Sequence, residues 1–283
     1  MGSKRLKMSK TSEERYLELL KNTLSFILWP EPPQPAVQPD NALKGLIFNF
    51  IGKVLADKGM MIMRPSLSSY EDRIVGKGWP GYADSMIGVK RLENIQHCVE
   101  TAIKENISGD LIETGVWRGG ACIFMRAVLE VHGITDRKVF VADSFEGLPK
   151  PNLDKYPSDQ QSFWHLHNDY LGVSEEKVRE NFERYGLLDD QVEFIKGWFK
   201  DSLPNAPLEK LAVLRLDGDM YESTMDVLTH LYPKLSVGGF CIIDDYGLKE
   251  DSCRKAVHDY MNQHNIKSEL VSIDWAGKYW RKE

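Results

Sequence analysis

Residues 13–29 place apolar side chains at helical intervals, and a helix is expected there. The next stretch, PEPPQPAVQPD (30–40), is too proline-dense for a helix or a central strand and predicts an extended linker. Residues 41–56 return to a helical pattern. Residues 64–88 are rich in Ser, Gly, Pro and aromatics and predict an irregular, mobile segment. The chain before about position 85 therefore reads as an appendage to a core that begins later.

From residue 89 the pattern alternates. Helical periodicity over 89–106, 119–133, 174–186, 223–235 and 251–265 is separated by short apolar runs. Those runs are GDLIETGV (109–116), KVFVADSF (138–145), QVEFIKGW (191–198), AVLRLDG (212–218) and GGFCIIDDY (238–246). Residues 268–282 read as a closing hairpin around Ala276-Gly277. Strands that are apolar nearly throughout, alternating with helices, imply a mostly parallel sheet covered on both faces: an α/β fold. The reading divides the chain into an N-terminal helical, linker and lid segment (1–88) and a catalytic domain (89–283).

Composition narrows the classes. A chain of 283 residues with 42% hydrophobic residues supports one large domain or two small ones, and a net charge of −6 argues against nucleic acid or an anionic membrane as partner. No apolar run approaches the ~20 residues that span a bilayer. The opening MGSKRLKMSKTSEE lacks the apolar stretch of a secretory signal. Cys98, Cys122, Cys241 and Cys253 form no CxxC pair, and three of them sit among apolar neighbours. They read as small buried hydrophobes of a reducing, cytoplasmic protein.

In such sheets ligands bind at the carboxyl ends of the strands, and the chemistry-bearing residues gather there. IETGVWRGG (112–120) is a glycine-rich turn, with Gly115 permitting close backbone approach and Gly119 and Gly120 opening a helix. It does not match the G-x-G-x-x-G dinucleotide fingerprint, and Glu113 beside it would repel a phosphate. The pattern E-x-G-x-x-x-G suits a cationic amino-acid moiety and favours S-adenosylmethionine over NAD; a turn serving only strand–helix packing is the plain alternative. Asp143 ends the second run, where an acid can accept both ribose hydroxyls of an adenosine cofactor; it can equally cap a turn at Asp143-Ser144. Gly197 and Trp198 end the third run and can line an adenine slot, although Trp198 also suits a core.

Two further strand ends are acidic. Asp217 closes one run, and Asp244 and Asp245 close the next. Neighbouring strands lie ~5 Å apart, so three carboxylates would converge and raise one another's pKa. A bound hard dication, Mg²⁺, would remove that cost; helix capping at a solvated edge is the alternative. Asp219 and Ser223 are expected to cap the following helix.

The stretches LIETGVWRGGACIFMRAVL, VADSFEGLP, LRLDGDMYESTMDVL, GGFCIIDDY and IDWAGKYWRK resemble the macrocin O-methyltransferase family, whose members methylate deoxysugar hydroxyls on macrolide and aminocoumarin antibiotics. The likeness covers roughly residues 60–283, and 76–151 look most like the aminocoumarin branch. It implies a class I methyltransferase fold with a seven-stranded, Rossmann-like sheet, S-adenosylmethionine, Mg²⁺ and a homodimer or higher homo-oligomer. Carried over, Glu113, Thr114, Gly115, Val116 and Trp117 hold the methionine end, and Asp143, Ser144 and Phe145 the ribose. Trp198 and Phe199 flank the adenine, and Asp217, Asp244 and Asp245 are the metal ligands.

A sugar hydroxyl of a glycosylated small molecule is thus the expected acceptor, with Asp217 as general base. A catechol-type enzyme acting on a phenol and a cofactor-binding protein without turnover are the alternatives. His165 and His167 lie between the second run and the next helix; they suit a zinc pair less well than packing or surface roles. Tyr70, Trp79 and Tyr82 suggest a lid or a subunit interface.

Overall fold

The computed structural model describes residues 10–30, 32–36, 39, 41–65, 69–78, 80–249 and 251–283. Among them one sheet contains seven strands: β1 Asp110–Thr114, β2 Val139–Asp143, β3 Val192–Lys196, β4 Leu211–Leu216, β5 Leu235–Ile243, β6 Val271–Ser272 and β7 Lys278–Arg281. Their order is β3-β2-β1-β4-β5-β7-β6. The first five are parallel, and β7 runs antiparallel to β5 and β6, closing the sheet with the expected hairpin.

Alternation along the strands feeds two cores. Leu111, Val139, Val141, Val213 and Phe240 face one layer, and Ile112, Phe140, Leu214 and Cys241 the other. The first layer is covered by α1 Ser12–Leu24, α4 Gly88–Lys104, α5 Gly120–Val131 and α6 Glu175–Arg184; the second is covered by α7 Tyr221–Leu231 and α8 Ser252–Gln263. All four cysteines are buried and free, each at most 3% exposed. No helix among the described residues is long and apolar enough to cross a membrane.

The N-terminal third departs from the sequence reading. Helix α1 starts at a capping box, with Thr11 and Glu14 each bonding the other's backbone N–H, and it buries Leu17, Leu20 and Leu24 in the same core as α4 and α5. Each such leucine contributes roughly 2 kcal/mol, so α1 is core rather than appendage. The helix stops earlier than expected because Ser25 caps it and Phe26 turns to φ 53°. Helix α2, Ala42–Ala56, begins at Asn41, whose side chain accepts from Leu43 and Lys44 N–H. Within the proline run, 34–35 pair antiparallel with 63–64.

The expected mobile segment is fixed where it nears the core. A short helix, α3 Tyr70–Ile74, is capped by Ser69. Arg118 donates to the carbonyls of Gly81 (3.0 Å) and Ala83 (2.6 Å), Tyr170 OH to Pro80 (2.7 Å), and Tyr185 OH to Asp84 (2.7 Å). Tyr70 and Tyr82 are exposed, and the Tyr82 ring stacks on Phe26 with centroids 5.7 Å apart. Trp79 and residues 1–9 lie outside the described residues.

Candidate active site

Strand order reverses between β1 and β4, and at that switch point a cleft of about 340 Å³ opens over the strand ends. Three strands leave the sheet through non-glycine residues in left-handed backbone: Trp117 (φ 47°) after β1, Phe145 (φ 59°) after β2 and Asp219 (φ 56°) after β4. Such conformations cost about 1–2 kcal/mol each and cluster where a site demands them. Gly115 has the same requirement in a tighter place. Its φ is 85°, and a Cβ there would sit 1.7 Å from the backbone oxygen of Asp217. Gly115→Ala is therefore expected to cost about 3 kcal/mol or more in urea unfolding. Near-native stability in that variant would show that the β1 and β4 turns are not in close contact.

Asp143 closes β2 with its carboxylate engaged by the turn beside it. One oxygen accepts from Val116 N–H (2.7 Å), the other from Phe145 N–H (2.7 Å). Burial raises its pKa, and those N–H groups oppose the rise. The oxygen that accepts from Phe145 also accepts from the Ser144 hydroxyl (3.3 Å), and the residue lines the cleft with Ser144, Trp117, Trp198 and Phe199.

Behind the β4 and β5 ends lies a buried ionic cluster. Asp217, Asp244 and Asp245 each offer an oxygen within 4.8 Å of the others, the only such group of three metal-capable side chains among the described residues. Arg215, fully buried in β4, forks onto Glu113, Asp244 and Asp217, the last at 3.0 Å. Arg91 of α4 bridges Asp244 to Asp274, with the Asp274 bond at 2.8 Å. Five carboxylates (Glu113, Asp217, Asp244, Asp245 and Asp274) thus face two guanidiniums. Burial first, then Asp244, pushes Asp217 up to about 6. Burial, then Asp219 and Asp217, pushes Asp245 well up. A cluster with this surplus of negative charge and oxygen-only donors fits a hard dication.

The profile of the macrocin-O-methyltransferase family, TylF, matches residues 13–282. The chain belongs to the macrocin-O-methyltransferase family. It is 48% identical over 274 residues to the 8-demethyl-8-(2,3-dimethoxy-alpha-L-rhamnosyl)-tetracenomycin-C 4'-O-methyltransferase of Streptomyces olivaceus, covering 97% of this chain and 95% of that one. The mycinamicin III 3''-O-methyltransferase of Micromonospora griseorubida is 48% identical over 96% of this chain and 98% of its own. Demethyldecarbamoylnovobiocin O-methyltransferase of Streptomyces niveus is 54% identical over 77% of this chain and 83% of its own. Among solved structures, the O-methyltransferase NovP superposes with a TM-score of 0.81 at 45% identity, over 96% of this chain and 99% of that one. This member of the family is accordingly an O-methyltransferase of class I fold.

Within this macrocin-family fold, the sequence-predicted residues separate into two groups. Gly115, Trp117, Asp143, Ser144, Trp198, Phe199 and Asp217 line the cleft. Glu113, Thr114, Asp244 and Asp245 are buried behind it, and Phe145 packs on Phe194. Glu113, expected at the methionine end, is buried and not among the residues that line the cleft. It pairs with Arg215 and accepts from the Cys122 thiol (2.9 Å), and burial raises it to about 7. Gly197 is not part of the lining; its N–H donates to the Asp143 carbonyl (2.9 Å).

Asp219 and Ser223 do not cap α7, which has no cap from its own flank. Asp159, fully buried in the loop after β2, reaches across and accepts from the N–H groups of Tyr221 (2.6 Å) and Glu222 (3.2 Å). The N–H of Asp219 instead binds Asp245 (2.9 Å). His165 and His167 belong to no metal-capable group of three among the described residues. Arg91, Arg215, Asp159 and Met86, which also lines the cleft, escaped the sequence reading. Only Arg215 left a signal there: a lone charge inside the apolar run AVLRL is a buried, paired charge.

Proposed function

We propose that the chain methylates a sugar hydroxyl of a glycosylated natural product, using S-adenosylmethionine and Mg²⁺. The observation that carries the reading is the meeting of two half-sites in one cleft. Asp143, Trp198 and Phe199 suit an adenosine, and Asp217, alone of the three clustered acids, lines the same space. Relatives named as acting on a rhamnosyl tetracenomycin, a mycinamicin and a novobiocin precursor support a glycosylated acceptor.

S-adenosylmethionine supplies an electrophilic methyl group when bound. Mg²⁺, held by Asp217, Asp244 and Asp245, would supply a Lewis acid that lowers the pKa of the acceptor hydroxyl. The chain's own residues do the rest. Asp143 accepts from ribose hydroxyls while its turn N–H groups hold it in place. Gly115 lets the cofactor pass close to backbone. Asp217, at the cleft wall, takes the hydroxyl proton as the oxygen–carbon bond forms and the methyl carbon's bond to sulfur breaks, S-adenosylhomocysteine being the leaving group. Arg215 and Arg91 keep the carboxylates apart from solvent and from each other's repulsion.

Transfer of labelled methyl from S-adenosylmethionine tests this reading on glycosylated aminocoumarins, macrolides and simple catechols, each with Mg²⁺ and with EDTA. Mg²⁺-dependent label on a sugar is expected. Label confined to catechols would replace the acceptor with a phenol, and label unaffected by EDTA would remove the metal.

The same reading places the enzyme in the cytoplasm as a homodimer. Helix α2 supports the assembly. It buries only Gly45 of its fifteen residues, while Leu43, Leu46, Ile47 and Phe50 are 53–71% exposed. Such a contiguous apolar face marks an association surface, and a two-fold pair of helices covers it with itself. Paired Leu46→Glu and Phe50→Glu substitutions are expected to convert the dimer to a 32.4 kDa monomer in sedimentation velocity. A wild-type chain that already sediments as a monomer at tens of micromolar would exclude this assembly.

A further inference from the structure

The α7 wall of the cleft carries two acids that the chemistry above does not use. Glu222 and Asp226 stand one helical turn apart, and both line the cleft. Among the described residues neither carboxylate makes a hydrogen bond or a close ion pair. The arrangement is unfavourable in itself: like charges at this spacing weaken a helix. Burial first, and then Glu222, raise Asp226 to about 6. A half-buried acceptor aimed into a cavity without a donor is a group awaiting one.

The surroundings of Asp226 identify which part of the cleft it serves. The charges that bear on it, besides Glu222, belong to Lys155 after β2 and to Lys200 and Asp201 in the turn after β3. Phe199 of that turn packs toward the start of α7. A Cβ on Gly218 would meet Ser223 at 3.1 Å and the Phe199 ring at 3.6 Å. Phe199, Lys200 and Asp226 thus belong to one side of the cleft, and Phe199 offers the aromatic surface that a purine needs.

Resting on the cofactor reading above, we propose that Asp226 recognises the exocyclic amine of the cofactor's adenine, accepting its N–H while the purine lies on Phe199. Adenine presents a donor at C6, and an ionised carboxylate is an acceptor only. Hypoxanthine presents a carbonyl at the same position, so the carboxylate would face a second acceptor. A hydrogen bond to a charged group left unpaired in this way corresponds to a loss of roughly 10- to 100-fold in affinity.

The test is calorimetric titration with S-adenosylhomocysteine and S-inosylhomocysteine, which requires no turnover. Wild-type protein is expected to bind the adenosine form at least about 10-fold more tightly. Asp226→Asn, nearly isosteric, offers an amide N–H to the hypoxanthine carbonyl, so the preference should collapse or reverse. Asp226→Ala should lose the preference without reversing it, and a thermal melt near that of the wild type establishes that each variant is folded. A preference unchanged in both variants overturns the assignment while leaving the cofactor in place. Wild-type protein that binds neither nucleoside overturns the cofactor reading, and this inference with it.

Discussion

Asp217→Asn is expected to lower turnover by about 1,000-fold or more while leaving S-adenosylhomocysteine affinity within about 2-fold of wild type. The asparagine keeps the shape and one carbonyl oxygen for the Arg215 guanidinium, which donates to Asp217 at 3.0 Å. It removes the negative charge and the capacity to take a proton, and of the three clustered acids only this one lines the cleft. Stability should not fall. Burial and Asp244 hold the Asp217 pKa near 6, above its value in the unfolded chain. Between those two values the folded state binds more protons, so ionising Asp217 above pH 6 works against folding. Asp217→Asn is therefore expected to unfold at equal or higher urea at pH 8, the trade of stability for function found at active sites. Two measurements divide the roles. Turnover restored by high Mg²⁺ would make Asp217 a ligand only, and full activity without added metal would remove it from the mechanism.

The legible parts of this protein were those with local causes. Strand–helix alternation gave the parallel sheet because its strands are apolar on both faces, as the split of Leu111 and Ile112 between two cores shows. The strand-end acids were legible because an acid that ends an apolar run has few structural uses. What escaped depends on contacts far apart in sequence. Arg91 reaches Asp244 across 153 positions and Asp159 caps α7 from 62 positions away, and neither spacing leaves a periodic trace. The partner of Glu113 escapes the sequence for a related reason. The neighbourhood of Glu113, E-x-G-x-x-x-G, fixes the turn, but the direction of its side chain is decided by Arg215, 102 positions later. The core role of helix α1 is hidden because the proline run that follows separates it from the core in sequence, though not in space.

The largest stability effect is expected at Arg215. Arg215→Met replaces the guanidinium with an apolar chain of similar length, but it takes from the buried carboxylates of Glu113 and Asp244 the cation they share, leaving Asp244 to Arg91 and Glu113 to the Cys122 thiol alone. Removing one partner from such a network costs about 3–5 kcal/mol, far more than the intact pairing contributes over a well-packed apolar core. The loss should depend on pH in a definite direction. Glu113, raised to about 7 by burial even with Arg215 beside it, would rise further without the guanidinium, and so would Asp217. Both groups then hold protons in the folded state at pH values where the unfolded chain has released them, so stability falls as pH rises. Urea unfolding of Arg215→Met in EDTA is expected to show a smaller deficit at pH 5, where these acids are protonated, than at pH 8, where folding must bury their charge. Arg215→Lys keeps one charge but cannot span Glu113, Asp217 and Asp244 at once, and should fall between the two. A deficit that is constant from pH 5 to pH 8 would mean that Arg215 stabilises the sheet by packing alone, and that the acids behind the cleft are neutralised by something other than its fork.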